Sequence, residues 1–117
     1  MEDLSNLKTI LDLETIEVNL YRGVNEYREQ KRLFGGQVLA QALGAAYRTV
    51  EKERVCHSLH GYFLRPGDTE HPVVYQVDPI RTGRSFTTRR IKAIQKGEAI
   101  FSMDASFQIL EDGLSHQ

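Results

Sequence analysis

Apolar and polar residues alternate along the last part of the chain. Over residues 99–109 the sequence AIFSMDASFQI places an apolar side chain at every second position, which is the period of a β-strand with one buried face. The pattern predicts a strand with a core face and a polar face. The core face is expected to carry Ala99, Phe101, Met103, Ala105, Phe107 and Ile109, and the polar face Ile100, Ser102, Asp104, Ser106 and Gln108.

Three more strands are expected before this one, each bounded by turn residues. They cover residues 55–64, 72–80 and 85–95, and the second of them alternates least well. The first is followed by Arg65-Pro66-Gly67-Asp68, where proline and then glycine suit the central positions of a type II turn. The sequence therefore predicts a run of four strands after residue 53.

A segment with helical spacing of its apolar residues precedes these strands. Residues 34–50, FGGQVLAQALGAAYRTV, are apolar on nearly every side at helical spacing, which is typical of an enclosed helix. Farther upstream the pattern predicts a short amphipathic helix over 4–13, a strand over 15–21 and a surface connection over 22–33. A long helix followed by antiparallel strands indicates an α+β architecture in which the sheet curls around the helix.

Composition and charge narrow the class of protein. The 117 residues carry 15 basic and 16 acidic side chains, so a net charge of -1 favours neither nucleic acid nor a membrane surface as a partner. One cysteine, Cys56, cannot form an internal disulfide, and no apolar run approaches the roughly 18 residues of a membrane span. The acidic start lacks the basic character of a targeting peptide. A single intracellular domain is expected.

Three segments carry a resemblance to a known family. The N-terminal half of the acyl-CoA thioesterase II family, which includes bacterial and peroxisomal enzymes, resembles this chain at "FGGQVLAQAL", "HSLHGYFLRPGD" and "GRSFTTRRIKAIQKGEAIFSMDASFQ". The resemblance implies the hotdog fold, a long helix wrapped by an antiparallel sheet, with residues 1–117 as one hotdog domain. It also implies that the complete enzyme hydrolyses a fatty acyl-CoA, and no cofactor is expected.

The resemblance places the catalytic groups of the family outside this chain. It assigns water activation to an aspartate, a threonine or serine, and a glutamine of a second hotdog domain, and none of these positions falls within residues 1–117. The catalytic residues are therefore left unassigned here. The implied partners are the acyl-CoA substrate and either a second hotdog domain or further copies of the chain, in the cytoplasm or, for a eukaryotic protein, in the peroxisome.

Two glycines at the head of the long helix have two interpretations. Gly35 and Gly36 make a tight turn into the helix and give the sheet room, or they leave backbone N–H groups uncovered where a substrate carbonyl or anion binds. The two roles are compatible. Gln37 follows them and can exchange hydrogen bonds, but it cannot act as a general base. All three are candidate substrate-binding residues.

Histidines of the first predicted strand are candidates for acid–base or metal chemistry. His57 and His60 are three residues apart, so regular alternation would place them on opposite faces, where they cannot share one metal ion. We therefore expect no metal site and keep His57 as a candidate substrate contact. Cys56 is interpreted as an inert buried thiol, and Asp68 as a turn residue that bonds its own backbone.

A basic cluster supplies candidate phosphate ligands. Five basic residues and no acid lie within residues 81–92. Arg89 and Arg90 must point to opposite faces of their strand, so only part of the cluster can serve one site, and a solvated sheet face is the alternative. Coenzyme A carries phosphates, which guanidinium groups bind well. The candidate coenzyme A contacts are Arg65, Arg84 and Arg90.

Two other functions stay open at this point. A hotdog dehydratase or hydratase needs a histidine with an aspartate or glutamate at its cleft, and the helix start FGGQ contains neither. A non-catalytic module that binds acyl-CoA or assembles with other domains needs no reactive group. Thioester hydrolysis by a larger protein that contains this domain is the function expected.

Overall fold

A computed structural model describes residues 13–23, 35–51, 53–68 and 70–109 of the chain. The helix is α1 (Gly35–Tyr47), and the strands are β1 (Glu14–Glu17), β2 (Leu20–Gly23), β3 (Arg54–Phe63), β4 (Val73–Thr82), β5 (Phe86–Gln95) and β6 (Glu98–Ile109). The helix expected over residues 4–13 lies outside the described residues except for its last position. In the described ranges no helix has both the length and the apolar character needed to cross a membrane.

The strands form one sheet in the order β1-β2-β4-β5-β6-β3, and all neighbours are antiparallel. The single strand predicted over 15–21 is wrong, because β1 and β2 are separate strands joined by a turn at Val18 and Asn19. Asn19 has a φ of 62°, a left-handed conformation that asparagine tolerates better than most residues. The strand order leaves β1 and β3 at the two edges.

Helix α1 packs on one face of this sheet, over β4 and β5 and between β2 and β6. The predicted α+β architecture is confirmed, and so is most of the alternation in β6, where Phe101, Met103, Ala105 and Phe107 are at most 1 % exposed. Their burial against α1 removes apolar surface from water, which is the main force that holds helix and sheet together. We call this buried side the inner face of the sheet and the other side its outer face.

Ile100 departs from the predicted alternation. It was assigned to the polar face, yet it is only 3 % exposed. A bulge explains the difference, because Ala93 pairs with Phe101 and Ile94 pairs with Ala99, which leaves Ile100 as an extra residue of β6. Such a residue breaks the strict alternation of faces. The prediction is therefore wrong at this position.

The sheet covers one side of α1 only. Leu39 is 37 % exposed and Tyr47 is 38 % exposed, so the helix is not enclosed by the residues that the structure describes, and for these residues that prediction is wrong. The reason is geometric, since all the strands that contact α1 belong to a single sheet beneath it. The buried positions recur at helical spacing and are Gln37, Val38, Gln41, Ala42, Ala45 and Ala46.

A buried polar contact fixes the position of α1 over the sheet. The hydroxyl group of Tyr75 in β4 donates a hydrogen bond of 2.7 Å to Gln41 Oε1. Burial raises the pKa of this tyrosine, so the hydroxyl stays protonated and can donate. Gly23 in β2 leaves the space that the Gln41 amide occupies, because a Cβ atom at that position would overlap it. The contact holds the middle of α1 above β2 and β4.

Candidate functional site

A cavity opens at the start of α1, beside the end of β3. Its volume is about 480 Å³, within the range of roughly 300–1,000 Å³ that is common for small-molecule sites. The lining consists of Gly35, Val38, Phe63, Leu64, Arg65, Pro66, Gly67 and Ile100. Gly35 and Arg65, which the sequence places among the candidate substrate contacts, thus lie in one lining although they are far apart in the chain.

The glycines at the head of α1 can now be assigned different roles. A Cβ atom on Gly35 would lie 3.3 Å from Phe63 Cζ, so this glycine permits close approach of an aromatic ring. Neither Gly35 nor Gly36 has a positive φ, so neither is needed for its conformational freedom. Gly36 is exposed, and Gln37 is buried on the side of α1 that faces the sheet.

The bulge in β6 contributes to the same cavity. Ile100, which regular alternation would turn toward the outer face, is buried and lines the cavity with Val38 of α1. The carbonyl group of Ile100 also accepts hydrogen bonds from the backbone N–H groups of Leu64 and Arg65, at 2.8 and 3.4 Å. One irregular residue therefore supplies part of the apolar lining and anchors the segment that follows β3.

The segment after β3 forms one wall of the cavity. A type II turn at Arg65-Pro66-Gly67-Asp68 was predicted, but Gly67 lacks the positive φ that such a turn requires, so this prediction is wrong. The segment is irregular, with a bend at Arg65, and the Arg65 side chain reaches β6. Arg65 Nη1 lies 3.1 Å from Glu98 Oε1, and the side chains are 49 % and 66 % exposed.

Gln95 clamps the far end of this wall segment. Its side-chain amide donates to the carbonyl groups of Asp68 and His71 at 2.7 and 2.9 Å, and its Oε1 accepts from the Asp68 N–H group at 3.0 Å. The carboxylate of Asp68 accepts hydrogen bonds from the N–H groups of Glu70 and His71, so its expected role as a turn residue is confirmed. A further hydrogen bond with the His71 side chain lowers the pKa of Asp68. The hydrogen bonds of Gln95 hold the end of the cavity wall next to the β5–β6 turn.

Both histidines of β3 lie on the outer face of the sheet. The register between β3 and β6 shifts between Cys56 and Ser58, which makes His57 an extra residue. The rings of His57 and Phe86 meet edge to face, with centroids 5.7 Å apart, and His60 pairs with Asp104 on that same face. The prediction that His57 and His60 lie on opposite faces is therefore wrong, because it assumed a regular strand.

The potential metal-binding side chains of the described residues do not form a cluster. Among the described residues, no group of three or more His, Cys, Asp or Glu side chains is placed to hold a metal ion. Cys56 is half-buried, and this burial raises the pKa of its thiol, in agreement with the expected inert role. These residues add no reactive group to the cavity at the start of α1.

The basic cluster is divided between the two faces of the sheet, as predicted. Arg89 is buried on the inner face and donates to Thr49 Oγ1 at 2.8 Å. Arg90 lies on the outer face and binds both carboxylate oxygens of Asp104, at 2.8 and 3.2 Å. This pairing raises the pKa of Arg90 and lowers that of Asp104.

Arg84 lies in the β4–β5 turn, where its carbonyl group accepts a hydrogen bond from Arg54. Arg84 and Arg90 are thus remote from the cavity that Arg65 lines.

Apolar side chains are exposed along and just beyond the edge strand β3. In the described part of the chain β3 pairs with β6 alone, so its other edge carries no hydrogen-bonded neighbour. Exposed apolar side chains on a free edge favour association with another chain or domain. These side chains are Val55, Leu59, Tyr62, Phe63 and Leu64.

The chemistry that the cavity can perform follows from its lining. Among the described residues that line it, Arg65 is the sole charged side chain, and none is a carboxylate or an imidazole. A guanidinium group stays protonated at physiological pH, so it can bind an anion but cannot take a proton from water. The cavity can therefore hold an apolar ligand with an anionic group, but this lining offers no general base.

Comparison with known proteins identifies relatives of the chain. A family model described as "Acyl-CoA thioesterase N-terminal domain" matches residues 25–108. The chain is 44 % identical over 114 residues to Acyl-CoA thioesterase 2 of Haemophilus influenzae, and 50 % identical over 100 residues to Acyl-coenzyme A thioesterase 8 of Homo sapiens. These matches cover 97 % and 86 % of the chain, but only 40 % and 31 % of the two relatives.

A solved structure agrees with the chain in fold. The crystal structure of the acyl-CoA thioesterase II TesB2 from Mycobacterium marinum superposes with a TM-score of 0.82 and 52 % sequence identity. The match covers 96 % of this chain and 41 % of the other. The hotdog fold implied by the sequence resemblance is confirmed.

Proposed function

We propose, from the premise that this chain belongs to the acyl-CoA thioesterase N-terminal domain family, that its complete protein hydrolyses acyl-CoA to a free acid and coenzyme A. Residues 1–117 would then be the first of two hotdog domains. The relatives named above are called acyl-CoA thioesterases, and the chain spans less than half of their length. Release of free thiol from a long-chain acyl-CoA by the complete protein tests the proposal, and no release above the uncatalysed rate refutes it.

The observation that carries this proposal is the cavity between the start of α1 and the end of β3. Its lining is apolar except for Arg65, which suits an acyl chain joined to a phosphate-bearing carrier. The backbone N–H groups of Gly35, Gly36 and Gln37 occupy the first turn of α1, where the helix dipole favours a developing negative charge. In this proposal the chain binds and orients the thioester.

The proton acceptor must come from another part of the complete protein. No general base lines the cavity among the described residues, and thioester hydrolysis requires a group that activates water. We therefore propose that the second hotdog domain supplies the aspartate, the threonine or serine, and the glutamine that the family resemblance implies. The free edge of β3 is the surface on which that domain would dock.

The isolated chain is expected to form a homodimer or a larger species. Without the second domain, the apolar edge of β3 is left open and pairs with another copy. Sedimentation at tens of micromolar measures this, and a clean monomer would contradict the proposal. Leu59→Lys should shift the chain toward monomer, since lysine disfavours edge pairing, whereas Ile80→Lys, at a similarly exposed position of β4, should not.

A non-catalytic acyl-CoA binding module is the second candidate function. It is favoured by the same observation, that the cavity lining contains no general base. Binding of acyl-CoA by the complete protein without thiol release would support it over hydrolysis. The dehydratase or hydratase alternative loses support, because His57 and His60 lie on the outer face, away from the cavity.

A further inference from the structure

Arg65 lines the cavity next to an acidic residue of β6. It is the sole charged side chain of the described lining, and its Nη1 atom lies 3.1 Å from Glu98 Oε1. Glu98 is the first residue of β6 and lies beside the cavity rather than in its lining. A ligand in the cavity therefore meets a guanidinium group whose charge is already balanced by a neighbouring carboxylate.

The cavity wall does not need this ion pair to stay in place. Backbone hydrogen bonds to the carbonyl group of Ile100 anchor the start of the wall segment, and the buried side chain of Gln95 holds its far end. A second ion pair, between Lys96 Nζ and Asp68 Oδ2 at 3.4 Å, joins the same two parts of the chain. Exposed ion pairs contribute little to stability. Glu98 can therefore be replaced while the wall keeps its position.

Arg65 is able to exchange its partner. The Arg65–Glu98 pair is more exposed than the pair of Arg90 and Asp104 on the outer face, where both carboxylate oxygens accept hydrogen bonds. A guanidinium group offers several N–H donors in a planar fork that suits a carboxylate. Because an exposed pair is weak, Glu98 can turn into water while the anionic group of a ligand takes its place at Arg65.

Substrate and product of the proposed reaction differ in charge at the reacting carbon. The acyl thioester is neutral there, whereas hydrolysis forms a carboxylate, which is ionised near neutral pH. Since Arg65 is the one cation of the described lining, it attracts the product more than the substrate. A guanidinium group without a counter-charge would retain the free acid in the cavity and slow turnover.

We infer that Glu98 weakens the binding of the free acid by competing with its carboxylate for Arg65. This inference rests on the proposed thioesterase function. The negative charge of Glu98 also repels the product carboxylate, but it has no comparable effect on the neutral thioester. Glu98 is thus a specificity-determining residue that favours the neutral substrate over the charged product and takes no part in the chemical step.

The test is the affinity of the complete protein for octanoate and for octanol, which share an apolar chain and differ in charge. Titration calorimetry measures both dissociation constants without any reaction. In Glu98→Gln the Kd of octanoate should fall about three- to tenfold, because a competing partner of Arg65 and a like charge are both removed. The Kd of octanol should stay unchanged, which also shows that the cavity is intact.

Two further variants locate the effect at Arg65. Addition of Arg65→Gln to Glu98→Gln should reverse the gain for octanoate, because the guanidinium group that binds the carboxylate is lost. Asp104→Asn is the matched control. It removes the carboxylate partner of Arg90 on the outer face, so it should leave the Kd of octanoate and that of octanol unchanged.

An octanoate affinity that is the same in Glu98→Gln and in the wild type would overturn the inference, and so would an equal gain for octanoate and octanol. Coenzyme A is titrated in parallel. Tighter binding of coenzyme A to Glu98→Gln without tighter binding of octanoate would also overturn it, because the anionic group at Arg65 would then be a phosphate.

Thiol release by the wild type keeps this inference distinct from the proposed function. If the wild type releases no thiol from any acyl-CoA, the proposed function fails even where Glu98→Gln binds octanoate more tightly. If the wild type is active and Glu98→Gln binds octanoate no more tightly than the wild type does, only the inference fails.

Discussion

The isolated 117-residue chain should release thiol from a long-chain acyl-CoA at least about 100-fold more slowly than the complete protein. Hydrolysis needs an activated water, a proton acceptor and donors aimed at the developing oxyanion. The described part of the cavity offers possible donors at the start of α1, but no carboxylate or imidazole. Loss of one oxyanion donor has cost about 100- to 1,000-fold in rate, and loss of the water-activating set should cost at least as much.

The assay compares the two proteins at equal concentrations with the same acyl-CoA. A rate for the isolated chain within about tenfold of the complete protein would show that the division of labour between the two domains is wrong. Single substitutions would then locate the missed group. The residues to replace are Gln37, His57, His60 and Asp68.

Phe107→Ala should lower the free energy of unfolding of the isolated chain by about 3–5 kcal/mol. Phe107 is fully buried between the sheet and α1, and its ring meets Tyr47 edge to face with centroids 4.9 Å apart. Truncation removes the buried area of the ring and leaves a cavity that the packed surroundings cannot fill. Denaturation by urea at a fixed protein concentration measures the loss. The dependence of the free energy of unfolding on urea concentration is expected to stay unchanged.

Phe86→Ala is the matched control for this prediction. Phe86 lies on the outer face and is 49 % exposed, so its removal should cost less than about 1 kcal/mol. Similar losses for the two variants would contradict the assignment of inner and outer faces. A small loss for Phe107→Ala alone would mean that α1 does not pack on β6 as described.

Regular alternation was the most reliable signal in the sequence, because the two faces of a strand are a local property. It correctly separated Arg89 from Arg90 and placed Phe107 in the core. It failed at His57 and Ile100, where a bulge inserts one residue and interrupts the alternation between the two faces. A bulge depends on the partner strand, which the local pattern does not contain.

Pro79 marks a bulge that the sequence could have predicted. It cannot donate a backbone hydrogen bond, and the register between β4 and β5 shifts between Asp78 and Arg81, on either side of it. This bulge lies at the end of residues 72–80, the segment that alternates least well. Neither the bulge at His57 nor that at Ile100 is marked by a proline.

The candidate site was found only in part. The glycine pair of α1 and Arg65 were singled out from the sequence, and the structure brings Gly35 and Arg65 into one cavity. Phe63, Gln95 and Glu98 were missed, because their roles arise from contacts between elements that are distant in the chain. Period and composition indicate which face is buried, but not which side chains meet across a cavity.

Photo-crosslinking tests most directly the claim that this chain holds the acyl group of the substrate. The complete protein is irradiated with an acyl-CoA analogue that carries a diazirine at the end of its acyl chain, and the labelled peptides are identified by mass spectrometry. The label should lie within residues 63–67 or 98–101, and excess unlabelled acyl-CoA should abolish it. Specific labelling of the outer face, around Arg90 and Lys92, with none at the cavity would contradict the account.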